Sequence, residues 1–177
     1  MRILSIALVL TGMLPPASAT TLQRLGLDEI IKKSTSIVRA KVLGSAGAVR
    51  GQDIYTYYQL QVLEDFKSAG VRQMEVAVPG GSARGLRQIV SGAPVLNAGG
   101  EYVFFLWTSP SGLTQVIGLS QGLFSVVQNA AGDVVVVRRA ASELMLDKSG
   151  RVVSDQAVAM SLSELRARVQ KALSAGK

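Results

Sequence analysis

The chain contains no cysteine and no histidine, and it has a single tryptophan. Without cysteine it can hold no thiolate metal site, no iron–sulfur cluster, no thiol nucleophile and no disulfide. Without histidine it loses the commonest general base, the commonest zinc ligand and every Ser-His-Asp or Cys-His arrangement. Acids are also scarce, 12 against 19 lysines and arginines, so the formal net charge is +7. That balance favours weak association with anionic polymers or acidic partners. The basic residues are scattered, however, and no aromatic-plus-basic stripe marks a nucleic-acid surface. The pairs Lys32-Lys33 and Arg138-Arg139 read as solvated ends of elements.

One long apolar run opens the chain, from Ile3 to Leu14. It is too short for a membrane span of roughly twenty residues and has the length of a signal-peptide core. Arg2 supplies the positive start, Pro15-Pro16 break the helix, and Ala17-Ser18-Ala19 is a small-x-small cleavage pattern. This pattern predicts a signal peptide over 1–19 and a mature terminus at Thr20. The product is exported to the periplasm or beyond the cell. No cysteine follows to take a lipid, and no later stretch is long and apolar enough to form a transmembrane span. The remaining residues, roughly 158, suit a single domain over 20–177 that folds without staples.

Leu25 to Ser34 reads as a short helix, with Asp28 and Glu29 in its first turn and Lys32 and Lys33 in its last, as the helix dipole favours. A two-residue period then predicts strands over 37–43, 54–67 and 74–78, with a small-residue connection over 44–51. Glycine-rich residues 79–100 read as a long loop with one extended segment near 88–90, and a loop of that length is often functional. Glu101–Thr108 is nearly all apolar and predicts a central strand. A hairpin partner follows at 113–119, then a second hairpin pairing 122–128 with 134–138. Residues 139–160 read as irregular. Ser161-x-x-Glu164 is a capping box for a final amphipathic helix over 161–174, striped by Leu162, Leu165, Val169 and Leu173. The expected fold is mainly β. It is a small closed antiparallel barrel of Greek-key, OB-like type with a helix at each end, preferred to a two-sheet sandwich.

The acids form no convincing catalytic set. Glu64 and Asp65 are neighbours in a strand and point to opposite faces. Glu75 and Glu101 could meet across strands, as any two strand acids could. Asp147-x-x-Gly150 lacks the alternating oxygens of a calcium loop and reads as a turn. Pro79-Gly80-Gly81-x-x-Arg84-Gly85 follows a strand but has no Gly-Lys-Ser/Thr ending and no helix after it, so it is not a phosphate loop. No cofactor, metal site or catalytic residue is expected. The reading that follows is a non-enzymatic, exported binding module for a protein or envelope component. Its candidate surface is the 79–99 loop, where Arg84 and Arg87 are donors on a frame opened by Gly80 and Gly81. A basic adaptor for anionic polymers is the first alternative, and an unrecognised hydrolase the second.

Three segments carry a resemblance: Ser36–Val42 (SIVRAKV), Tyr55–Lys67 with its terminal Phe-Lys, and Gly100–Leu106 (GEYVFFL). In this order they resemble the netrin-like domains of tissue inhibitors of metalloproteinases, which are OB barrels. Val78–Gly81, Gly92–Pro94, Gly99–Leu106 and Gly118–Gly122 are similar to a group of uncharacterised secreted bacterial proteins, over about residues 24–128. Similar segments in that group accompany matrixin-like metalloproteases, so the resemblance implies an extracytoplasmic protease as a possible partner. The inhibitors begin with a zinc-chelating cysteine held by disulfides, whereas here the predicted terminus is Thr20-Thr21. The resemblance therefore implies the fold and assigns the chelating role to no residue.

Overall fold

A computed structural model describes residues 21–68, 70–141 and 143–175; the predicted signal peptide and Thr20 lie outside them. Among these residues the order is β1 (Thr21–Gln23), α1 (Leu27–Lys33), β2 (Ser36–Arg50), β3 (Asp53–Lys67) and β4 (Gln73–Pro79). Then come β5 (Gly81–Ala83), β6 (Leu86–Gln88), β7 (Glu101–Thr108), β8 (Thr114–Val116), a 3₁₀ turn (Leu119–Gly122) and β9 (Leu123–Gln128). The chain finishes with β10 (Val134–Arg138), β11 (Leu144–Leu146), β12 (Val152–Val153), β13 (Val158–Ser161) and α2 (Leu162–Ser174).

The main sheet is eight-stranded and open, in the order β13-β10-β9-β7-β2-β3-β4, with β8 also pairing β7. The expected closed barrel is not formed. Its five candidate staves, β8-β7-β2-β3-β4, are successive antiparallel neighbours. Four antiparallel steps leave β4 and β8 running the same way, and they approach within 8 Å between Cα atoms without a ladder. Two features account for the opening. One edge of β7 is shared, with Tyr102–Phe104 pairing β9 and Leu106–Thr108 pairing β8, so β8 receives only three residues. The chain then turns away through Gly118 and Leu119, both at positive φ (61° and 56°), before a strand long enough to reach β4 can form.

The central strand was legible because both of its faces are buried. Val103 and Phe105 point to a core with Ile30 and Ile31 of α1 and with Leu165 and Val169 of α2. Tyr102, Phe104 and Leu106 point the other way, into a core enclosed by the curl of the sheet with Val38, Leu60 and Val76. Helix α2 starts as predicted, with the Ser161 hydroxyl accepting from the Glu164 amide at 3.0 Å.

Other expectations change. Residues 44–50 are not a connection but the second half of β2, paired with β3 from Gly44↔Gln59 to Arg50↔Asp53. The ladder supplied by β3 overrides the poor strand propensity of glycine and alanine. The loop after β4 contains the β5–β6 hairpin, and the irregular stretch before α2 contains β11, β12 and β13. Arg138 is not a solvated end. It is 8% exposed and donates from both terminal nitrogens to Asp155, at 2.9 and 3.0 Å, and to the Gln156 carbonyl at 2.8 Å.

Candidate functional site

The glycines of the predicted site are set by close approach. Gly80 and Gly81 have φ of 92° and 120°, and a Cβ on Gly81 would lie 2.1 Å from the Thr56 hydroxyl oxygen. That hydroxyl donates to the Gly80 carbonyl at 2.9 Å. The β5–β6 hairpin lies so close over β2 that a Cβ on Gly47 would fall 1.9 Å from the Ser82 carbonyl oxygen. Its turn residues, Arg84 and Gly85, both take positive φ (52° and 76°), the conformation that a two-residue type I′ hairpin turn requires. Gln88 then pins the returning strand. Its amide nitrogen donates to Asp53 at 3.1 Å, and its carbonyl oxygen accepts from the Ile54 amide.

Beyond Gln88 the chain crosses the mouth of the curled core. Ile89 and Val95 are 78% and 81% exposed, whereas Leu96 is 6% exposed and plugs the core. The Asn97 amide donates to the Tyr102 hydroxyl at 3.2 Å, and the Gly99 amide donates to the Val42 carbonyl at 2.8 Å. The 79–99 segment is therefore tied down at both ends.

Two adjoining cavities lie at its base. The larger, about 510 Å³, occupies the gap between β4 and β8 and is lined by Ala77, Pro79, Pro94, Trp107 and Leu119, with Lys33 at its rim. The smaller, about 250 Å³, lies under residues 89–95 and shares Val78, Pro79 and Pro94 with the first. Gly80, Gly81 and Arg87 line this smaller cavity, so the structure brings three of the four predicted residues together. Arg84 sits apart on the exposed hairpin turn. No acidic residue lines either cavity.

Sequence reasoning missed the larger cavity. The one available signal was Trp107, which keeps the alternation of Val103 and Phe105 and should be buried with them. It is instead 43% exposed. Missed too was the open edge of β4. The Gly80 amide donates to the Ile54 carbonyl and the Val62 amide to the Arg72 carbonyl. With the unbroken β3–β4 register, these bonds point the main-chain groups of Met74, Val76 and Val78 at β3. Those of Glu75 and Ala77 point at the gap.

The acids are engaged elsewhere. Glu101 accepts from Arg39, which also approaches Glu64 at 3.8 Å, and Glu64 binds Arg166 of α2 at 2.7 Å. Glu75 accepts from Gln59, and β2 and β3 stand between it and Glu101, so those two carboxylates do not meet. Asp147 holds the β11–β12 turn, its carboxyl drawn down to about 2 by the Ser149 hydroxyl and the Arg151 amide. Burial works to raise the pKa of Asp155. The Arg138 guanidinium and the Ala141 and Gln156 amides outweigh it and hold the carboxyl below its ordinary range. Among the described residues no three acids converge as a metal site.

Protein-family models, curated proteins and solved structures contain no match to this chain. The netrin-like resemblance therefore rests on its three sequence segments, which form β2, β3 and β7, neighbours in the sheet. A third cavity, between the helices, is lined by charges of both signs, with Asp28 already paired to Arg168 at 2.9 Å.

Proposed function

We propose that the protein is an exported, non-enzymatic binding module that recognises a partner protein of the cell envelope through the groove at the β4–β8 gap and the 79–99 segment above it. The supporting observation is the placement of exposed apolar side chains around two joined cavities. Trp107, Ile89 and Val95 all lie open to solvent at one end of the curled sheet. Single exposed apolar residues are ordinary, but several gathered at a concave, largely apolar site mark a contact surface. Among the described residues no helix is long and apolar enough to cross a membrane. Export itself rests on the 1–19 pattern.

The reading is tested by placing a photo-crosslinking amino acid at Val95, and separately at the exposed Gln170 of α2, which packs on the opposite face of the sheet, in the native host. The expected result is a discrete protein adduct from position 95 and none from position 170. The adduct disappears in the Ile89→Asp variant. Equal labelling from both positions, or none from either, contradicts the proposal.

A further inference from the structure

The larger cavity is apolar, but it holds hydrogen-bonding groups that the protein does not use. Trp107 and Gln115 are direct partners across β7 and β8, so their side chains share a face, and both line the cavity. Among the described residues none bonds to the Gln115 carboxamide. Ala77 lines the cavity from β4 and is 2% exposed, yet its main-chain N–H and C=O face β8, with which β4 forms no ladder. Buried main-chain groups nearly always find a partner. Pro79 and Pro94 add two flat rings to that of Trp107.

Charge gives neither sign an advantage. Lys33 at the rim is held by Glu29 at 2.9 Å, and Glu29 also draws Lys148 at 3.5 Å. Glu75, two residues before Ala77, accepts from Gln59. At the smaller cavity Arg87 is offset by Glu143, whose carboxyl carbon would lie 2.8 Å from a Cβ on Gly92.

From these features we infer that the larger cavity binds a small, uncharged, planar aromatic molecule that carries a carbonyl group. Its ring packs on Trp107 and between the prolines, and its carbonyl oxygen accepts from the Gln115 carboxamide and the Ala77 N–H. The cavity, about 510 Å³, falls within the roughly 300–1,000 Å³ of small-molecule sites. A molecule seated there requires no separation of β4 from β8. The site does not rest on the partner reading and is tested on the purified chain alone.

The probe is Prodan, an uncharged naphthyl ketone whose emission moves to the blue on leaving water. Trp107 is the chain's one tryptophan, so energy transfer from it to the dye reports binding near the cavity. The expected result is a saturable blue shift with loss of Trp107 emission. Trp107→Ala, followed by the dye's own emission, weakens binding by about tenfold or more. Four twelve- or eleven-carbon competitors then define the ligand. Acetylnaphthalene displaces Prodan, whereas ethylnaphthalene, which lacks the carbonyl, dodecanone, which lacks the ring, and anionic naphthoate are each about tenfold weaker. Gln115→Leu narrows the gap between acetylnaphthalene and ethylnaphthalene with little change in melting temperature.

No saturable binding, or binding unchanged in Trp107→Ala, overturns the site. Displacement by dodecanone equal to that by acetylnaphthalene overturns the planar ligand, and equal displacement by ethylnaphthalene overturns the carbonyl. Naphthoate as strong as acetylnaphthalene overturns the uncharged class. A gap unchanged in Gln115→Leu overturns the role of Gln115.

Discussion

The two faces of the sheet are finished differently. On one, α1 and α2 cover Val103 and Phe105 completely, and the cover is fastened by charge, with Arg166 of α2 bound to Glu64 of β3 and Arg168 to Asp28 of α1. On the other, the sheet curls over its own core and stops before its edges meet. What covers that mouth is a segment held by Leu96, Gln88 and a few main-chain bonds, and a groove remains. The same β7 serves both faces, so the difference lies in the cover. A helix pair hides its apolar surface fully, whereas a three-residue β8 cannot, and the exposed remainder is the groove proposed above as a binding surface.

Several substitutions would break or sharpen that contrast. The largest effect is expected in the helix-covered core. Phe105→Ala, at a fully buried position, should cost about 3–5 kcal/mol in denaturant unfolding and leave little folded protein on mild heating. Asp155→Asn leaves the buried Arg138 guanidinium without its charge partner and should cost about 3 kcal/mol. The same pair sets a pH dependence. The folded Asp155 carboxyl lies below its unfolded value of about 3.9, so the unfolded chain binds the proton more tightly. The pair's stabilisation is complete well above that value and is lost as pH falls through the depressed folded one. Asp155→Asn should flatten this acid limb of the stability curve, and an unchanged limb would assign acid sensitivity elsewhere.

Around the groove the stability effects should be smaller. Gly81→Ala forces a Cβ against Thr56 at positive φ and should cost about 2 kcal/mol, read as a lower melting temperature. Trp107→Ala should cost about 1 kcal/mol or less, since the side chain is half exposed, yet remove the adduct formed from position 95. A larger loss of stability would make Trp107 a core residue and weaken the functional reading. Arg84→Asn, which gives the Asn-Gly pair a type I′ turn prefers, should stabilise by a few tenths of a kcal/mol.

Much of this was legible in residue patterns. The period of two along 54–62, the apolar density of 101–108, the capping serine at 161 and the Asp147 turn are local signals with local causes, and each element forms where it was read. The barrel was not legible correctly, because closure depends on how one edge of β7 is divided between β8 and β9, a tertiary competition with no local signature. The second half of β2 was missed because the Gly44–Ala48 composition argues for a loop and only the β3 partner overrides it. Arg138 looked like its neighbour Arg139, and nothing nearby in sequence announces Asp155. Of the residues lining the two cavities, Gly80, Gly81 and Arg87 were singled out through the glycine-rich loop. Lys33, Trp107 and Leu119 were not, because they come from three elements that meet only in space.

The open edge of β4 is the claim on which the site depends, and amide hydrogen exchange along that strand tests it most directly. An open edge predicts alternation, with slow exchange at Val76 and Val78, which bond to β3, and exchange faster by at least an order of magnitude at Glu75 and Ala77. Uniformly slow exchange from Met74 to Val78 would mean that β4 is paired on both sides, that the barrel is closed, and that the groove at the β4–β8 gap does not exist.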